Sequence, residues 1–87
     1  MDLNDYRAQI DAIDNELLRL FKDRMDVSCQ IALYKKEHSL PVLDAARERE
    51  KLAEIYDKSD AELRPYVNKL YSTIFEISRA CQESIAL

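Results

Sequence analysis

The sequence predicts an all-α chain of three helices, with a very long first helix, intertwined with a second copy into a helical homodimer. Three observations carry that reading. No glycine occurs among the 87 residues, and the hairpin turns of a sheet protein usually draw on glycine. The only prolines are Pro41 and Pro65, and they fall between stretches of helical period. Apolar residues recur in steps of three and four through nearly the whole first stretch.

That stretch reads Leu3, Tyr6, Ile10, Ile13, Leu17, Leu20, then Arg24, then Val27, Ile31, Tyr34 and His38. It is a heptad seam. Asp2 or Asn4 suits the N-cap, and Ser39-Leu40-Pro41 ends the helix at about His38, because a residue before proline is pushed out of the α region. At ~1.5 Å per residue, a helix over about 3–38 is roughly 50 Å long. A compact chain of this size has a radius of gyration of only about 12 Å. The helix therefore overhangs its own domain, and a second copy is the simplest cover for the seam.

The second helix is predicted over about 45–57, with Asp44 as N-cap and Leu52, Ile55 and Tyr56 as its apolar face. A short turn over Asp60 to Leu63 precedes the third helix, predicted over about 65–84. Pro65 suits a first helical turn. The third seam is Val67, Leu70, Ile74, Ile77 and Cys81. The whole chain, 1–87, reads as one domain with no internal repeat.

Composition narrows the function. The formal net charge is −4, which argues against nucleic acid, since phosphate binding needs a basic surface. No apolar run approaches the ~20 residues needed to span a bilayer. MDLNDYRAQ is acidic and polar, so no secretory signal is expected, and a cytoplasmic setting is. Cys29 and Cys81 lack metal spacing and read as free thiols in a reducing compartment.

The polar residues that break the apolar pattern are the candidates for a site. Arg24 occupies a seam position, where a guanidinium cannot lose its proton and does not cheaply lose its water. Either an anion meets it, or it is a polar residue that fixes register. Lys35 lies eleven residues on, within about 20° of Arg24 around the helix, so both can lean toward one ligand. Arg7 lies about 25 Å away and about 100° round; it could reach only a partner's site. A solvated helix face remains open for Lys35 and Arg7. Glu48 falls on the apolar face one turn above Leu52, beside Arg47, though an ordinary charged turn is also open there. Phe75, Ser78 and Gln82 share a face at i, i+3, i+7, where the hydroxyl and amide hydrogen-bond a ligand or face water. No nucleophile stands with a paired base, since the single histidine, His38, lies at a helix end. No Gly-rich phosphate loop and no metal cluster is seen, so neither cofactor nor metal is expected. Such a set suits a small polyanion and chemistry by positioning and electrostatics.

At YRAQIDAIDNELLRLFKDRM, IALYKKEHSLPVLDAAREREKL and LYSTIFEISRACQE, the chain resembles the all-helical chorismate mutases. The R-x-x-I-D-x-I-D opening, the K-K/P-V-x-D-x-x-R-E block and the S-x-x-x-Q ending occur in the family's order over nearly the whole chain. The resemblance implies an intertwined homodimer with two sites built from both chains, converting chorismate to prephenate in phenylalanine and tyrosine biosynthesis. It implies that Arg7 from the partner chain and Arg24 bind substrate carboxylates. Lys35 then contacts the ether oxygen and a carboxylate. Asp44 contributes near the substrate through its backbone, and Arg47 adds positive field. Glu48 holds the ring hydroxyl, Ser78 lines the pocket, and Gln82 donates to the ether oxygen. An isochorismate-pyruvate lyase shares the fold but lacks the R-E pair after the loop, so Glu48 favours the mutase. A non-catalytic dimerisation or regulatory module is the alternative from another class, against which the complete residue set argues. Association with another aromatic-pathway enzyme stays open, and no separate regulatory domain is expected at this length.

Overall fold

A computed structural model describes residues 1–86. The described residues form three helices and no strand: α1 over Leu3–Glu37, α2 over Ala45–Lys58 and α3 over Arg64–Ala86. The molecule measures 55 × 26 × 15 Å, with a radius of gyration of 16.1 Å, as one helix much longer than its neighbours requires.

Local chemistry sets each boundary. Asp2 caps α1 in a reciprocal box: its carboxylate accepts from the Asp5 amide, and the Asp5 carboxylate accepts from the Asp2 amide, both at 3.0 Å. Two orphan donors are satisfied together. The other end closes before Pro41 acts. The Leu40 amide donates to Lys35 O at 2.8 Å and the Ser39 amide to Lys36 O at 3.3 Å, the paired bonds of a Schellman motif. Ser39 takes the left-handed conformation this requires, at φ 54°, in a chain without the glycine that usually fills it. Asp44 caps α2 by accepting from the Arg47 amide at 2.9 Å.

The Asp60–Leu63 turn is closed by Leu63 N donating to Asp60 O at 2.9 Å. α3 begins one residue before Pro65, a placement that costs no hydrogen bond because amides of the first turn lack intrahelical partners. Arg64 ties α3 back to the end of α2. Its Nε donates to Tyr56 O at 3.1 Å, and its guanidinium lies 4.7 Å from the Tyr56 ring centroid.

α3 packs against both α1 and α2, whereas α1 and α2 do not pack on each other. The central helix thus floors an open gap between its neighbours. What is buried at the crossings is small: the apolar residues are Ala32 and Phe75, and the polar ones are Ser28, Ser78 and Gln82. The third seam expected from hydropathy is divided in the single chain, with Val67, Ile74 and Cys81 half-buried. Leu70 and Ile77 are 54% and 40% exposed in the single chain, while Phe75, Ser78 and Gln82 form the packed face. The cause is the α1 surface at the crossing, where Ser28 and Ala32 leave room for polar side chains. The α1 seam from Leu3 to Leu20 is likewise exposed along its length, and large exposed apolar stripes mark interaction surfaces.

Candidate active site

The gap between α1 and α2 is a cavity of about 390 Å³, within the range of small-molecule pockets. Each helix contributes a stripe at helical spacing. α1 presents Arg24, Val27, Ser28, Ile31 and Lys35, α2 and its cap present Asp44, Arg47, Glu48 and Lys51, and α3 presents Phe75, Ser78, Arg79 and Gln82. Steps of three and four keep each set on one face. Seven of the eight candidates from the sequence therefore line one cavity: Arg24, Lys35, Asp44, Arg47, Glu48, Ser78 and Gln82. Arg7 does not; it is exposed on the N-terminal half of α1.

Hydrogen bonds fix the orientation of several of these groups. Arg24 Nη1 donates to Ser78 Oγ at 2.8 Å, and the guanidinium lies 5.8 Å from the Phe75 ring centroid. Both contacts hold the cation in the cavity wall, one by a charge-assisted bond and one by the ring face. Lys35 Nζ donates to Val42 O at 2.8 Å, which draws the connecting loop over the end of α1. An ammonium has three donors, so two remain for a ligand. Gln82 Nε2 donates to Ser28 Oγ at 3.1 Å and to Ser28 O at 3.3 Å. The amide has two N–H donors for these two acceptors, and its side chain is nearly fully buried.

Glu48 is paired across the cavity floor with Arg79 of α3. The hydrogen bond with Glu48 raises the Arg79 guanidinium above its ordinary value, against the opposing effect of desolvation. The stated candidates omit Arg79 and Lys51. Spacing was the available signal: Arg79 is four after Phe75 and three before Gln82, and Lys51 is three after Glu48. The cavity wall carries five cations against two carboxylates, and Arg79 already offsets Glu48. Arg47 pairs with Glu50 at 3.4 Å and Lys51 with Glu54 at 3.6 Å, so the positive charge offered to an anion is carried chiefly by Arg24 and Lys35.

Residues 6–83 match the family model described as chorismate mutase type II. The T-protein of Haemophilus influenzae is 39% identical over 46 residues, covering 53% of this chain and 12% of that protein. The 4-amino-4-deoxychorismate mutase of Streptomyces venezuelae is 37% identical over 46 residues, covering 53% of this chain and 45% of that protein. The chain thus spans less than half the length of either relative. No solved structure matches.

Proposed function

The chain belongs to the chorismate mutase type II family, and from that premise we propose that it rearranges chorismate to prephenate in the biosynthesis of phenylalanine and tyrosine. The observation that carries the reading is the single cavity in which Arg24, Lys35, Ser78 and Gln82 converge with Glu48. Chorismate is a dianion, and its [3,3] rearrangement is unimolecular. The ether C–O bond breaks as a C–C bond forms through a chair-like transition state, and negative charge grows on the ether oxygen.

On this reading Arg24 clamps one carboxylate, already aimed by Ser78. Lys35 contacts the other carboxylate and the ether oxygen through the donors Val42 does not take. Gln82 reaches the same oxygen with an N–H that exchanges its Ser28 acceptor for the substrate. Because that charge is largest in the transition state, these two donors lower the barrier rather than merely tightening binding. Glu48 accepts from the ring hydroxyl, Arg47 adds positive field, and the backbone beside Asp44 borders the substrate. Arg79 offsets the charge of Glu48, which favours a neutral hydroxyl over an ammonium at that ring position. The reaction calls on neither metal nor organic cofactor, and the setting is the cytoplasm.

The proposal includes a homodimer with shared sites. The exposed α1 seam supports it, as does the position of Arg7 outside the cavity, where Arg7 of the partner subunit completes the carboxylate clamp. Sedimentation at micromolar concentration should give about twice the chain mass. An association with another aromatic-pathway enzyme is compatible with this surface.

Purified protein should consume chorismate, followed by the loss of its ultraviolet absorbance, with prephenate as the product by NMR. Release of pyruvate from isochorismate, without prephenate, would replace this reading with that of a lyase. Binding of chorismate without turnover would leave a ligand-sensing module.

A further inference from the structure

Cys29 of α1 and Cys81 of α3 bring their sulfurs to 3.1 Å, although they lie far apart in sequence. Neither is bonded, and both are half-buried at the helix crossing. Their separation exceeds a disulfide bond by only about 1 Å. It is too short to clasp a metal: two thiolates on a tetrahedral ion with bonds of ~2.3 Å stand roughly 3.8 Å apart. Among the described residues no group of three or more His, Cys, Asp or Glu could complete such a site. Each cysteine is also the sequence neighbour of a paired cavity residue. Ser28 precedes Cys29, Gln82 follows Cys81, and Gln82 Nε2 donates to Ser28.

We propose that Cys29 and Cys81 form a reversible modification site, oxidised by a low-molecular-weight disulfide to a bridge that locks α1 to α3 beneath the cavity and displaces Gln82. In the first step a thiolate of the pair attacks one sulfur of glutathione disulfide, giving a mixed disulfide and one glutathione thiolate. The second thiolate then attacks the protein sulfur of that mixed disulfide. The Sγ–Sγ bond forms and a second glutathione thiolate leaves. The protein loses two electrons and two protons, and one glutathione disulfide becomes two glutathiones. The hydrogen bond with Cys81, then desolvation, raises the Cys29 thiol above its ordinary value. It therefore stays protonated near neutrality, where exchange is slow. In a reducing compartment the dithiol is the resting form, and the bridge reports a sustained shift in poise.

The effect on turnover rests on the mutase reading, whereas the bridging chemistry does not. Closing the gap moves the backbone beside Gln82 by a fraction of the roughly 1 Å displacement that can cost a well-positioned site a hundredfold. The test incubates the full chain in glutathione buffers of graded oxidised-to-reduced ratio. Alkylation, intact mass and peptide mapping then count thiols, and chorismate turnover is measured on the same samples. The expected result is one intramolecular Cys29–Cys81 bridge and a several-fold fall in turnover, both reversed by dithiothreitol. The Cys29→Ser/Cys81→Ser double variant should keep full turnover at every ratio, and each single variant should stop at the glutathione adduct without a bridge. In the unsubstituted chain, thiols that stay free, glutathione adducts without a bridge, or bridges between chains overturn the site. A bridge that leaves turnover unchanged overturns the coupling to Gln82. A reduced protein that bridges but never consumes chorismate sinks the mutase reading and leaves the modification site standing.

Discussion

Arg24 Nη1 donates to the Ser78 hydroxyl at 2.8 Å across the α1–α3 crossing, which ties the one charged residue of the α1 seam to a buried polar position on the central helix. A long cation is thereby held in place before any ligand arrives, so little side-chain entropy remains to be lost on binding. Ser78→Ala should free the guanidinium and raise KM several-fold with a smaller change in kcat. Arg24→Ala should damage KM at least as much as kcat, because a substrate carboxylate is charged in both ground and transition states. Steady-state kinetics on chorismate decides this. A kcat defect at unchanged KM for Arg24→Ala would mean that this cation acts on charge developing elsewhere.

The pairing of Glu48 with Arg79 leads to a prediction about substrate choice. Arg79→Met keeps much of the apolar stem and removes the charge. Glu48 then faces the cavity unpaired, and its acceptance of a neutral hydroxyl weakens relative to its attraction for an ammonium. The ratio of kcat/KM for chorismate over 4-amino-4-deoxychorismate should fall by about tenfold, a discrimination of ~1.4 kcal/mol. An unchanged ratio with a lowered unfolding midpoint would assign Arg79 a packing role alone.

Much of this site was legible in the sequence because helical spacing alone decides which residues share a face. Arg24 and Lys35 share a face of α1, Glu48 recurs with Leu52 and Ile55 on α2, and Phe75, Ser78 and Gln82 lie at steps of three and four on α3, whereas the site roles of Asp44 and Arg47 rest on the family resemblance. What spacing cannot supply is the distance between faces. The Glu48–Arg79 pair depends on how closely α3 approaches α2, and the Cys29–Cys81 contact depends on the α1–α3 crossing. Hydropathy marks Leu70 and Ile77 as apolar seam positions but does not say whether their own chain covers them. The crossing formed around Ser28 and Ala32 instead, leaving those apolar side chains exposed in the single chain. The end of α1 was located near His38 from Pro41. The bond that ends it there runs through Ser39 in a left-handed conformation, for which the sequence carries no glycine signal.

Arg7 lies on α1 away from the cavity, so its action in catalysis requires a second chain. In the proposed dimer, the Arg7→Ala and Arg24→Ala variants should each lose most activity. Co-refolding the two should restore part of it, because one site of each hybrid dimer has both arginines and the other has neither. Native mass spectrometry confirms the hybrids. If confirmed hybrids stay as inactive as their parents, Arg7 does not act across the dimer.

Gln82 gives the sharpest test of how the barrier is lowered. Its side chain is 8% exposed, and Nε2 donates to Ser28 Oγ and Ser28 O. Gln82→Ala and Lys35→Ala should each lower kcat by on the order of 100-fold, as loss of an oxyanion donor does. Gln82→Glu keeps the shape and changes the charge. An ionised carboxylate there faces the Ser28 carbonyl and the developing charge on the ether oxygen, so turnover at neutral pH should be lost. Burial and that carbonyl both favour the protonated form, which restores a donor, so activity should return as pH falls. The sign for stability follows from the same preference. The introduced group has a raised pKa in the folded state, so the variant is best matched to its parent in acid. It should lose stability relative to the parent as pH rises from about 4 through neutrality. Paired pH–rate and pH–unfolding profiles make the check. Full activity at neutral pH with no gain in acid would remove Gln82 from the ether-oxygen role and leave Lys35 as its donor.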